Sequence, residues 1–126
     1  MPSGDGFTDA QVREMSQALS SASRDTGLHF SVFVGPVDRP IRTYAERLHA
    51  ALGDSAPAGV LICVSPGDRE MEIVTGAESG RRLNDRNCAL AAMSMASTFS
   101  GGDLVGGVVT GLRMMADIAG RVHVEQ

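Results

Sequence analysis

Tryptophan is absent from these 126 residues, and aromatic side chains make up only 4%. Any core must therefore be built from Val, Leu, Ile, Met and Ala. Long apolar runs are missing as well. No stretch reaches the ~20 apolar residues that a membrane-spanning helix needs. A basic excess is missing: the net charge is −4. Phosphate backbones are held by basic patches, so a nucleic-acid partner is not expected. The Arg81-Arg82 pair is too short to change that. Cysteine is scarce, with only Cys63 and Cys88 and no CxxC spacing. Both read as reduced, unbridged core thiols, as in a reducing compartment. Residues 1–6 lack the basic and apolar regions of a signal peptide, so a cytoplasmic chain is expected. No phosphate-binding loop and no G-x-G-x-x-G follows a strand into a helix, which leaves nucleotide binding unsupported. His29, His49 and His123 share no ligand spacing and are expected as surface or edge histidines. No Cys-His or Ser-His-Asp arrangement can be read.

What is present is organised around residues 59–76. Val60-Leu61-Ile62-Cys63-Val64 is an unbroken apolar run, short enough to be a strand buried on both faces. Ser65-Pro66-Gly67-Asp68 follows as turn chemistry, with proline fixing one φ and glycine supplying a positive φ. A plain two-residue turn of this type fits strand twist poorly, so the loop is expected to reach Asp68 or Arg69. The stretch 69–76 then alternates. Met71, Ile73 and Thr75 would face the core, with Glu70 and Glu72 in water.

Around this hairpin the rest is helical except for one strand. At 126 residues and 43% hydrophobic, the chain is one domain with a real core. Residues 1–6 read as a tail and 7–120 as the domain. Residues 121–126 read as a tail or a short edge strand. Thr8-Asp9-Ala10-Gln11 has the capping-box pattern. Val12, Met15, Leu19 and Ala22 follow at helical spacing, and Gly27 ends that helix. Residues 28–34 form the first strand. Pro40 opens a helix carrying Ile41, Tyr44, Ala45, Leu48 and Leu52. A strand–helix–strand order implies a right-handed crossover and two parallel strands. After Gly76 come a short helix over 78–83 and a longer one capped by Asn84 or Asp85, carrying Leu90, Met93, Ala96 and Phe99. The last helix runs over 104–118, starts at Asp103 and is apolar on most of its surface. The fold class is therefore α/β, a three-layer sandwich with a small mixed central sheet between helices.

The order of several short motifs resembles the TPM domain. These are Gly59 to Ser65, Asp68-Arg69, Glu72-Ile73 with Gly76 and Glu78, and Leu83 with Asp85. Tyr44-Ala45 and Gly102-Asp103 with Gly107 are similar too, so the likeness spans residues 7–119. It implies an α/β sandwich with a Rossmann-like crossover. Members of that family are described as phosphatases, as calcium binders, and as inactive domains that assist membrane complexes. This chain departs from the pattern just before the central strand. The family often has a Trp-Gly loop and an Asn-Asn-Gly there; here stand Leu52-Gly53-Asp54 and Pro57-Ala58-Gly59.

Two ends of the sheet are candidate sites, each with two readings. Where the central strand begins, Asp54, Gly76, Glu78, Arg81 and Asp85 are expected to gather, with Asp25 nearby. Asp54, Glu78 and Asp85 would offer oxygens to calcium or magnesium, which could polarise a phosphoryl group. Alternatively, Glu78 and Asp85 are helix-start acids and Arg81 pairs with them at the surface. No D-x-D-x-D calcium loop is present. At the opposite end stand Asp38, Arg39, Asp68 and Arg69, where open α/β sheets favour ligands. The alternative there is a pair of solvated turns. Gly107 and Gly111, one helical turn apart, fit either close packing on the sheet or a dimer seam. The function expected from this pattern is a non-catalytic protein-binding or scaffold domain without a cofactor, as a monomer or weak homodimer. The second expectation is a weak divalent-metal-assisted phosphatase.

Overall fold

The computed structural model describes residues 7–120. The expected tail at 1–6, the edge strand at 121–126 and His123 lie outside these residues. Helix α1 (Asp9–Thr26) begins at its capping box. The Gln11 N–H donates to Thr8 Oγ1 at 3.0 Å, and the Thr8 N–H donates to Gln11 Oε1 at 2.9 Å. It ends at Gly27 with φ 76°, a left-handed cap that glycine adopts without strain. Strand β1 (His29–Val34), helix α2 (Ile41–Ala50), a 3-10 turn (Gly53–Ala58) and strand β2 (Gly59–Ser65) follow. A second 3-10 turn (Pro66–Asp68) leads to strand β3 (Glu70–Thr75). Helices α3 (Ser79–Arg82), α4 (Asp85–Ser100) and α5 (Leu104–Ala119) complete the order. Among the described residues no helix is long and apolar enough to cross a membrane.

The sheet order is β1-β2-β3. β1 and β2 are parallel, with Phe30 beside Val60 and Val34 beside Val64. β2 and β3 are antiparallel, with Ile62 opposite Ile73 and Ser65 opposite Glu70. All of β2 is buried, as its apolar run demands. One face of the sheet presents Phe30, Val32, Val34, Val60, Ile62, Val64 and Ile73 to α1, α4 and α5. Met15, Met95 and Met115 fill that layer without any exposure. The other face presents Leu61, Cys63 and Val74 to Ile41 and Ala45 of α2. This is the expected three-layer α/β sandwich with a mixed sheet.

Three local expectations need correction. β3 is wetted at its start only: Glu70 and Glu72 are part-exposed as expected, whereas Val74, on the same face, is buried under α2. Glu72 on that face accepts from Arg42 Nη1 at 3.1 Å, and the same nitrogen donates to the Ile73 carbonyl at 3.1 Å. The positive φ of the β2–β3 loop belongs to Arg69, at 55°, and not to Gly67. The reason is loop length. A four-residue connection built on a 3-10 turn places its left-handed residue last.

The third correction concerns α4. Its buried face is Ala91 and Met95, with Cys88, Ala92 and Phe99 packed beside them. Leu90 and Met93 point outward, 45% and 69% exposed. The helix has apolar residues on every side, so spacing alone does not choose a face. The glycines of α5 choose it. A Cβ at Gly107 would lie 2.5 Å from the Phe99 ring, and one at Gly111 would lie 2.5 Å from Met95 Cγ. The glycine seam therefore admits α4 of the same chain, rather than the sheet or a second subunit.

Candidate binding cleft

Val64 and Ser65 end β2 at the carboxyl side of the parallel pair. Pro66–Asp68 turns the chain, the Arg69 N–H closes the turn onto the Pro66 carbonyl at 3.2 Å, and Glu70-Met71 start β3. Opposite this loop, α4 ends at Ser100, and Gly101-Gly102 lead into α5 at Leu104. Between the two loops lies a cleft of about 440 Å³. Val64, Met71, Ala96, Phe99 and Leu104 give it apolar walls, and Ser65, Arg69, Glu70 and Ser100 give it polar ones. Its volume and mixed lining fall within the range of small-ligand or side-chain pockets.

Most polar groups here already have partners. The Ser65 hydroxyl is buried and donates to Asp68 Oδ2 at 3.0 Å. Arg39 grips both oxygens of Glu70, at 3.1 and 3.2 Å, and stands 3.9 Å from Asp68. These ion pairs are exposed, so each contributes at most about 1 kcal/mol. Asp38 is exposed and stands outside them. Arg69 lines the cleft and has no ion pair among the described residues. It holds φ 55° and ψ 43°. For a side chain of this size that region costs roughly 1–2 kcal/mol, a strain that concentrates at ligand-contacting positions.

The Ser65 hydroxyl gives its hydrogen bond to Asp68 within the loop. Among the described residues no imidazole stands beside it. His49 sits at the opposite end of β2, about 20 Å away by strand rise. Contrary to expectation, His49 is buried, and its Nε2 lies 3.1 Å from the Gly59 carbonyl. That carbonyl also accepts from Ser79 Oγ at 2.8 Å and from the Gly76 N–H at 3.2 Å.

The opposite end does not gather the three carboxylates. Asp54 is exposed on its 3-10 turn, Glu78 is exposed ahead of α3, and Asp85 is exposed in the first turn of α4. Among the described residues no group of three or more His, Cys, Asp or Glu is placed to hold a metal ion. What converges here is backbone. Gly76 packs so tightly on the Pro57 carbonyl that a Cβ would stand 2.6 Å from its oxygen, and the Glu78 N–H donates to that same oxygen at 2.9 Å. The cap of α4 is Asn84, in a capping box with Asn87. Arg81 donates to the Ala77 carbonyl at 3.4 Å and pairs with neither Glu78 nor Asp85 among the described residues.

Spacing missed two further features. Arg82 donates to the Thr26, Ala119 and Gly120 carbonyls and so ties α3 to the ends of α1 and α5. The exposed Leu90 and Met93 lie at i and i+3 on α4, and the same rows continue to Ala96 and Ser100, which line the cleft. No charged residue occurs between Arg86 and Asp103. The absence of charge on a surface helix was the available signal.

Comparison with known proteins places the chain in a family. The model of a domain of unknown function, DUF5130, matches residues 2–116, and the chain belongs to that family. The uncharacterized proteins MT2543 and Rv2468c, from two strains of Mycobacterium tuberculosis, are each 26% identical over 110 residues. That alignment covers 87% of this chain and 65% of each relative, so the chain spans about two-thirds of their length. The fold is similar to the NMR structure of BA42 protein from Bizionia argentinensis, at TM-score 0.79 and 17% identity, covering 89% of this chain and 80% of that one. It is also similar to the N-terminal domain of a protein from P. gingivalis, at TM-score 0.79 and 18% identity, covering 94% and 83%. The N-terminal domain of cg2496 from Corynebacterium glutamicum gives TM-score 0.78 at 11% identity, covering 98% and 81%. At these identities the structures share the fold alone.

Proposed function

We propose that this DUF5130 chain is a non-catalytic protein-binding domain that docks a partner along α4 and into the cleft beside Arg69. The observation that carries this reading is the outward face of α4, which bears no charge beyond Arg86 and has Met93 69% exposed, running into an apolar-floored cleft. Burying Leu90 and Met93 contributes roughly 1.5–3 kcal/mol each, which makes them the apolar anchors of the proposed interface, with Phe99 in the cleft. The resemblance to TPM domains supports the same reading, because inactive partners of larger assemblies occur among them. The unit proposed to act is residues 7–120, as a monomer or weak homodimer in the cytoplasm.

The test is selection of random peptides displayed on phage, in one library with free carboxyl termini and in another with internal peptides, against the whole chain, with hydrolysis of p-nitrophenyl phosphate measured beside it. An enriched peptide family whose binding is lost in Phe99→Ala is expected. Turnover that appears only with calcium or magnesium, and that co-purifies with the chain, would replace this reading with the phosphatase one. The absence of any enriched family would also overturn it.

A further inference from the structure

We infer that Arg69 anchors a free peptide carboxyl terminus whose last side chain is apolar, a proposal that rests on the binding reading above and names its partner's chemistry. Four features of the cleft carry it. Its two carboxylate-bearing neighbours in sequence are already engaged: Asp68 by Ser65, and Glu70 by both guanidinium nitrogens of Arg39. Arg69 is thus the lining cation left without an ion pair among the described residues. Its guanidinium offers a planar fork of donors that matches a carboxylate. Beside it are Val64, Met71, Phe99 and Leu104, which bring no charge to the cleft.

A carboxyl-terminal residue presents a carboxylate and an apolar side chain from one Cα. That is the pairing of one free cation with one apolar floor in about 440 Å³. An internal acidic residue carries its charge on the side chain itself, so its apolar contact must come from a neighbour that points elsewhere. The preceding residues of a terminal peptide would leave the cleft along Ala96, Met93 and Leu90 of α4. The left-handed backbone of Arg69 fits the same role. The loop keeps a large cationic residue at a position where glycine would be free of strain.

The test is an NMR titration of the whole chain with N-acetyl-leucine, which mimics a terminal leucine, against N-acetyl-leucinamide and acetate. N-acetyl-leucine is expected to shift the Met71, Ala96 and Phe99 resonances and the Arg69 side-chain N–H, with millimolar affinity. The neutral amide and acetate are expected to bind about tenfold more weakly or not at all. Arg69→Gln is expected to lose the response without a change in melting temperature, and Arg69→Lys to retain part of it. Equal binding of acid and amide, shifts confined to another surface, an unaltered response in Arg69→Gln, or no response up to the solubility limit would each overturn the inference. A phage-selected peptide that binds α4 equally with a free or an amidated terminus would overturn it too, while leaving the binding function standing.

Discussion

Arg82 Nη1 donates to the Thr26 carbonyl at 2.7 Å, across 56 residues of sequence. The same guanidinium reaches Ala119 and Gly120, so one side chain closes the C-terminal ends of two helices. Those carbonyls have no intrahelical donors, and the positive charge sits at the negative ends of two helix dipoles. Arg82→Ala is expected to destabilise the chain by about 1.5–3 kcal/mol, read from urea unfolding. Arg82→Lys should recover less than half, because a single ammonium lacks the fork.

The α4–α5 seam gives a second expectation. Gly111 faces Met95, which is without exposure and has nowhere to retreat. Gly111→Leu is expected to cost about 1–3 kcal/mol by overpacking, reduced by somewhat under ~1 kcal/mol of improved helix propensity. A net gain in melting temperature would place Gly111 in open space. Sedimentation of the variant as the same species as wild type is expected, because the seam lies within the chain.

Helix capping separates two neighbouring residues. Asn84 accepts from the Asn87 N–H at 2.8 Å, and its own N–H donates to Asn87 Oδ1 at 3.1 Å. Asn84→Ala is expected to cost about 0.5–2 kcal/mol. Asp85→Ala removes only a first-turn charge, about 0.3–1 kcal/mol. Calcium is expected to shift the melting temperature of neither. A bound ligand at a hundredfold excess over Kd stabilises by about 2.7 kcal/mol, so a calcium-dependent rise lost in Asp85→Ala would revive the carboxylate site.

The sequence made the frame of the fold legible and left the sites obscure, for physical reasons. β2 announces itself because a strand buried on both faces runs apolar without a break, here from Val60 to Val64. α1 announces itself because the Thr8 and Gln11 bonds are local. The metal trio of Asp54, Glu78 and Asp85 read as a cluster only in sequence, since each residue is exposed on its own turn or helix start. His49 looks exposed in the sequence because its acceptor, the Gly59 carbonyl, lies in another element. Residue type points to Gly67 for the positive φ, whereas loop length puts it at Arg69. On α4, Leu90 and Met93 matched a core stripe as well as Ala91 and Met95 do. Only the partner helix, through Gly107 and Gly111, decides between them.

Alkaline stability follows from the buried thiol. Burial, and secondarily the Glu72 carboxylate, pushes the Cys63 thiol from 9.0 up to about 11. Burial followed by Asp85 pushes Cys88 upward as well. A raised thiol favours the native state fully below the unfolded value and loses that contribution as pH rises through the folded one. Between about pH 9 and 11 the unfolded chain has lost a proton that the native chain keeps, so stability should fall as pH rises. The slope from one thiol is at most about 1.4 kcal/mol per pH unit. Unfolding free energies measured across this window in wild type and Cys63→Ala should show a shallower slope in the variant.

The outward apolar face of α4 is proposed to bind a partner rather than to fill the core. Met93→Glu tests it most directly, with Met95→Glu as the buried contrast. Affinity for a phage-selected peptide and melting temperature are measured on both proteins. Met93→Glu is expected to unfold within about 0.5 kcal/mol of wild type, as surface substitutions do, and to bind the peptide at least about tenfold more weakly. Met95→Glu should fail to fold stably, because it buries an unpaired charge. A Met93→Glu chain that is as unstable as Met95→Glu, or that binds the peptide as tightly as wild type, would contradict the account.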